Sequence, residues 1–268
     1  MRWVVCALFG ALALSPAPAQ AQGAASGAAS GAAAQGSSDA AAACPAPEHI
    51  THVEGALPNS AAAIAKDHRL NILLLGTGSS TLPGPNGANL AYPARLQAAL
   101  QSGAKDIQID LKTDVKSRRT TADMVKDFQT ILDAKPDLVI WQTGTFDAMR
   151  GVDPDEFRDT LKQGVKRLQA AGIDVILVNM QYSPRTELMM TASAYAENMR
   201  WVAQQREVPL FDRLGLMRYW SEEAVFDFSA PEAASKVAQQ VHDCIGKLLA
   251  DLIMDTLKLG APEKKGAQ

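Results

Sequence analysis

The sequence carries no excess of positive charge: 26 Lys and Arg against 29 Asp and Glu give a formal net charge of -3. No broad cationic face is available to neutralise phosphates, and nucleic acid is excluded as the expected partner. Beyond the first residues no apolar run approaches the ~18 residues that a membrane helix needs, so no span is expected once the N-terminus is removed. Cysteine numbers three and histidine four in 268 residues. His49 and His52 have the i, i+3 spacing of a metal pair, but no third ligand accompanies them in sequence, and neither metal nor cofactor is assigned. What is present, 47% hydrophobic residues with 14 Pro and 19 Gly, suffices for one globular domain with a substantial core.

The N-terminus has the pattern of a secretory signal over residues 1 to 21. Arg2 supplies a positive start, residues 3 to 14 an apolar run, and Ala17-Pro18-Ala19 or Ala19-Gln20-Ala21 a small-residue cleavage site. Residues 22 to 43 are nearly all Ala, Gly and Ser. Such a stretch buries too little apolar surface to offset its ordering entropy and reads as a flexible linker. The domain is expected over 44 to 259, followed by a polar tail over 260 to 268, and the protein is expected to be periplasmic or secreted. Removal of the signal leaves Cys44 and Cys244, an isolated pair suited to a disulfide in an oxidising compartment. The alternative is a buried thiol at Cys244 with Cys44 free.

From residue 70 onward short apolar runs alternate with helical periodicity, the pattern of an α/β domain with a parallel sheet. Strands are expected at 71 to 75, 107 to 111, 138 to 142, 175 to 179 and 208 to 211, and helices at 93 to 101, 121 to 132 and 191 to 205. The clearest helix begins at Asp153 as N-cap, with Pro154 at its first position and Glu156 completing a capping box. Phe157, Leu161, Val165 and Leu168 form its apolar stripe, and Gly172 ends it. A last helix starts near Pro231 and turns Val237, Val241, Ile245, Leu248, Leu249 and Leu252 toward the core. Five parallel strands with helices on both faces make a three-layer α/β/α sandwich, with any ligand site outside the carboxyl ends of the strands.

Two glycine-bearing turns directly follow strand-like runs: Gly76-Thr77-Gly78-Ser79-Ser80 and Thr143-Gly144-Thr145-Phe146-Asp147. Loops after the first and third strands of an open parallel sheet converge at its switch point, so Gly144, Thr145 and Asp147 should face Gly78, Ser79 and Ser80. A sharp turn at Gly78 exposes amides of the kind that hold a developing oxyanion. Ser79, Ser80 and Thr81 offer hydroxyls that serve as nucleophiles if a base is near. Lys116, Arg118 and Arg119 form a basic cluster, read either as the rim of that site or as a solvated helix start. Trp141 and Phe146 suit an apolar pocket wall, although Trp141 fits core packing equally well. Met189, Met190 and Met199 are expected to fill gaps around a helix.

The two turns resemble the first and third blocks of the SGNH (GDSL) hydrolases. The resemblance extends to Tyr92-Pro93-Ala94-Arg95-Leu96, to Trp141-Gln142-Thr143-Gly144, to Gln181-Tyr182-Ser183-Pro184-Arg185 and to Leu210-Phe211-Asp212-Arg213-Leu214, and it covers about Cys44 to Ile253. It implies a flavodoxin-like sandwich and, in active members, hydrolysis of small esters, lipids or acylated carbohydrates. The family places its serine two residues after the first glycine, where this chain has Gly78, so Ser79 serves as nucleophile only with the loop shifted by one. No glycine occurs between Gly103 and Gly144, which leaves the second block, around 114 to 119, without its oxyanion glycine. Phe146 stands at the oxyanion asparagine, and Ala230 stands where the family's histidine follows the retained Asp227.

Without an imidazole a serine hydroxyl is a poor nucleophile at pH 7. His68 precedes the first strand and belongs at the opposite rim. His242 lies roughly 17 Å along the last helix from the Asp227 turn, at ~1.5 Å per residue, and reads as too distant. Two functions are therefore implied. One is an exported ester hydrolase with a rearranged site, in which Ser79 attacks and Asp227 orients or replaces the base. The other is a non-catalytic binding module for a small-molecule ester, an acylated glycan or a partner protein. A purely structural role is a third.

Overall fold

The protein is described by a computed structural model over residues 44–229 and 234–259. The expected signal, linker and C-terminal tail, together with Ala230 and the start of the last helix at Pro231, lie outside the described residues. Five strands form one all-parallel sheet: β1 (Arg69–Gly76), β2 (Gln108–Val115), β3 (Leu138–Gln142), β4 (Asp174–Val178) and β5 (Leu210–Phe211), in the order β2-β1-β3-β4-β5. The central strands β3 and β4 are buried at every position, as expected where helices cover both faces of a parallel sheet. The edge strand β2 alternates Ile109 and Leu111 with Asp110, Lys112 and Asp114, charges that protect an exposed edge from further pairing.

The chain runs from β1 outward to β2 and then returns past β1 to β3. Because parallel crossovers are right-handed, this reversal sends Tyr92–Gly103 to one face and the helices that follow β2, β3 and β4 to the other. Tyr92–Gly103 packs against the long final helix Ala234–Leu257, and Pro154–Ala170 packs against Ala192–Arg206. The result is the three-layer α/β/α sandwich, with its switch point between the ends of β1 and β3.

Several local details differ from the sequence reading. The helix expected over 121 to 132 is two, Thr121–Lys126 and Phe128–Ala134, meeting at Asp127. β5 starts at Leu210 rather than 208 because Pro209 has no N–H to give the ladder; its carbonyl still accepts from Leu177 N at 2.9 Å. Asp153 caps its helix by accepting from the Asp155 and Glu156 amides, but Glu156 does not return the bond. Reciprocal boxes occur instead at Thr120 with Asp123 and at Ser183 with Thr186. Cys44 and Cys244 are joined in a disulfide that ties the segment before the sheet to the final helix across 200 residues. Among the described residues no helix is long and apolar enough to cross a membrane.

Candidate functional site at the serine loop

β1 ends at Gly76, and the following turn, Gly78–Ser80, is one 3₁₀ turn closed by Ser80 N donating to Thr77 O at 2.9 Å. Neighbouring β3 ends in Gln142, fully buried after four apolar residues. Its side chain reaches back and organises the serine loop. Gln142 Oε1 accepts from Thr77 N at 3.0 Å, Thr77 Oγ1 at 2.9 Å and Ser80 Oγ at 2.9 Å. A backbone N–H only donates, so the contact with Thr77 N fixes the amide with its oxygen toward the loop and leaves Nε2 buried without a partner. The serine loop is thus tied to the end of β3 by Gln142, the residue just before the second turn.

Ser80 is buried and exchanges a hydrogen bond of 2.9 Å with the hydroxyl of Tyr92, itself fully buried. Burial pushes the Tyr92 phenol above its usual value, so it stays neutral. Ser79, unlike Ser80, is only half-buried. Its Oγ accepts from Arg213 Nη2 at 3.1 Å, and its carbonyl faces Arg213 Nη1 at 3.3 Å. Contacts of Ser79 Oγ with Thr77 Oγ1 and Gln142 Oε1 are both long, at 3.4 Å.

Arg213, the residue after the Asp212 N-cap, is 1% exposed, and desolvation lowers its pKa to about 10. His242 lies close by on the final helix. Its Nδ1 accepts from Tyr92 N at 2.9 Å, and burial together with the Arg213 charge lowers its pKa to about 4. The axial offset from Asp227 therefore misleads: where the two long helices pack, His242 comes in beside Tyr92, one residue removed from Ser80. Its position three residues before Ile245 on the apolar stripe is the signal that identifies it as core-facing. Gln142 carries a weaker signal, one polar side chain ending an otherwise apolar strand, and Arg213 is marked only by its place in the matched segment over 210 to 214.

The opposite turn serves a different purpose. Gly144 has φ +95°, and an added Cβ would meet Met180 Sδ at 2.6 Å. Asp147 is buried and accepts from Thr121 N at 2.9 Å and Thr121 Oγ1 at 3.1 Å, pinning the helix after β2 to the loop after β3. Burial raises its pKa despite those bonds. Thr145 Oγ1 is buried without a partner. Phe146 occupies the wall of an adjoining cleft of about 550 Å³ with Arg118, Thr120, Asp147 and Arg150, whereas Trp141 is core, packed edge-on against Phe128.

Of the basic cluster, Lys116 pairs with Asp114 and Asp127, and buried Arg119 binds Asp114 at 2.9 Å and Gly76 O at 3.2 Å. Asp227 is exposed, and its Oδ1 accepts from Ser229 N at 2.9 Å and Ser229 Oγ at 2.7 Å. It is not among the partners of Ser79. His68 sits before β1 at the far rim, and His49 and His52 line a separate cleft of about 900 Å³ beside β5. Among the described residues no group of three or more His, Cys, Asp or Glu is disposed to hold a metal ion.

Residues 43–259 match the Non-GDSL lipase-like family. The chain belongs to it. No curated protein matches the chain. The structure of this Non-GDSL lipase-like protein is similar to that of a catalytic mutant of an acetylxylan esterase from Geobacillus stearothermophilus, with a TM-score of 0.53 and 18% identity over 70% of this chain and 94% of that one. It is also similar to LAE5, an α/β hydrolase enzyme from the metagenome of Lake Arreo, Spain, at 0.52 and 19% over 72% and 97%. The psychrotrophic esterase EstA of Pseudoalteromonas sp. gives 0.50 and 19% over 68% and 99%. The fold is thus that of the SGNH/GDSL hydrolase superfamily.

Proposed function

We propose that this Non-GDSL lipase-like protein is an exported hydrolase-fold protein whose serine loop recognises a small-molecule ester or an acylated glycan without efficient hydrolysis. One observation carries the reading: Ser79 Oγ faces the guanidinium of Arg213, where ester hydrolysis of this type needs an imidazole. The one buried imidazole close to the loop accepts a backbone N–H with the nitrogen that would have to take a proton, and at pH 7 it is neutral. A donor-rich loop with no base beside it among the described residues binds acyl oxygens but does not generate an alkoxide. Export is supported by the signal-like N-terminus, and the ligand class by the acetylxylan esterase whose fold the chain shares.

The rearranged hydrolase is the second reading, favoured by the same contact, since a cation 3.1 Å from Ser79 Oγ lowers the cost of an alkoxide there. Release of acetate from 4-nitrophenyl acetate and from acetylated xylooligosaccharides separates the two. The binding reading expects release at the rate of buffer alone, unchanged by Ser79→Ala, with saturable thermal stabilisation by the oligosaccharide. Release above buffer that disappears with Ser79→Ala would establish the hydrolase instead.

A further inference from the structure

We infer that the loop around Ser79 is a receptor for an oxyanion, a carboxylate or phosphate group on the ligand, with the Ser79 hydroxyl as donor and Arg213 as the fixed countercharge. The inference rests on the reading that this loop binds an ester or acylated glycan, and it adds that this ligand carries an anionic group beside its acyl group.

Arg213 is 1% exposed, yet among the described residues no carboxylate lies within 4.0 Å of its guanidinium. Its partners are the two oxygens of Ser79, and Nε has none. The other buried arginine, Arg119 at 7% exposure, is instead neutralised by Asp114 at 2.9 Å. Burial of an uncompensated ion costs several kcal/mol, a cost that pairing with an anion in the same environment relieves. Among the described residues the groups facing Arg213 supply no such anion. Ser79 is uncharged, Tyr92 is a buried neutral phenol, and His242 is a buried imidazole that becomes a second cation if it titrates.

Ser79 is the way in. It is half-buried where Arg213 is closed off, and the guanidinium donates to its Oγ, which leaves the hydroxyl proton to point elsewhere. Among the described residues that proton has only two acceptors, both at 3.4 Å. One of them, Gln142 Oε1, already takes three donors at 2.9 to 3.0 Å. The proton is therefore available to a ligand. A neutral ester carbonyl would accept it but leave the guanidinium uncompensated. An oxyanion would accept it through a charge-assisted bond, about twice as strong as a neutral one, and would compensate the buried cation as well.

The test uses the full chain with its disulfide intact, at pH 7 and fixed ionic strength, with inorganic phosphate, sodium acetate and methyl acetate as probes in calorimetric titration and thermal melts. Phosphate, acetate or both should bind saturably and raise Tm, and the preferred anion reports whether the natural group is a phosphate or a carboxylate. Methyl acetate should bind at least ten-fold more weakly. Ser79→Ala should weaken anion binding about ten-fold, and Arg213→Met should abolish it, with Arg213→Lys restoring part.

Because Arg213→Met removes a buried side chain, Ser79→Asp gives an independent readout. A carboxylate placed there supplies the countercharge itself, so Tm should rise by several degrees and the anion response should vanish. Absence of a response to both anions, methyl acetate binding as tightly as either, or Ser79→Asp melting below wild type with its anion response intact would each overturn the inference. Ser79-dependent acetate release bears on the binding reading alone.

Discussion

A single backbone amide, that of Tyr92, decides what His242 is able to do. With Nδ1 accepting that N–H, the neutral ring carries its proton on Nε2, and protonation of Nδ1 would break the bond beside the Arg213 charge. Its pKa of about 4 lies below the unfolded value of ~6.5, so the unfolded chain binds the extra proton first and stability falls with pH across that window. Acidification from about pH 6.5 to about pH 4 should cost on the order of 3 kcal/mol through this residue, at ~1.4 kcal/mol per pKa unit. Urea unfolding of wild type and His242→Asn, whose amide oxygen can take the Tyr92 N–H, measures it: the variant should show the flatter pH dependence. Asp147 acts in the opposite sense, since a carboxyl raised by burial loses its contribution as pH rises, and the difference between the two proteins removes that background. At this scale the sequence was least legible. The serines and glycines of the loop are visible in a motif; Gln142 and Arg213 lie in matched segments that gave them no role, His242 in none, and all three reach the loop through tertiary packing, while Asp227 matched a motif and accepts from Ser229.

Among the elements, the turn between β3 and Thr145–Arg150 is the most tightly constrained. Gly144 combines φ +95° with Met180 Sδ 2.6 Å from where a Cβ would stand and Met199 Sδ at 3.4 Å. Gly144→Ala should therefore lower stability by about 1–3 kcal/mol, as a strained backbone position does, with methionine repacking adding to it; urea denaturation provides the number. The strand runs themselves were readable, because β3 and β4 are continuous apolar segments that a parallel sheet buries on both faces. Helices such as Pro58–Asp67 and Arg213–Glu222 were not, since they are short and their apolar positions form no long stripe. The break at Asp127 has the same origin: two short helices share one apolar pattern, with Met124 and Phe128 buried on either side of the interruption.

For the whole molecule, alternating strands and helices made the parallel three-layer sandwich legible, whereas the order β2-β1-β3-β4-β5, which right-handed crossovers alone do not select, came only with the resemblance to a flavodoxin-like fold. The covalent link between Cys44 and Cys244 encloses nearly the entire domain. Closing a loop of 200 residues removes much of the freedom of the unfolded chain, and Cys44→Ser with Cys244→Ala should lower stability by about 2–4 kcal/mol. The urea midpoint should shift while the far-ultraviolet circular dichroism of the folded state is retained. The spacing also sets an order of events. Cys44 leaves the ribosome 200 residues ahead of its partner, and every strand of the sheet emerges in between. Native closure of the ring needs both ends of the domain, so the bond can form only once the last helix has been made.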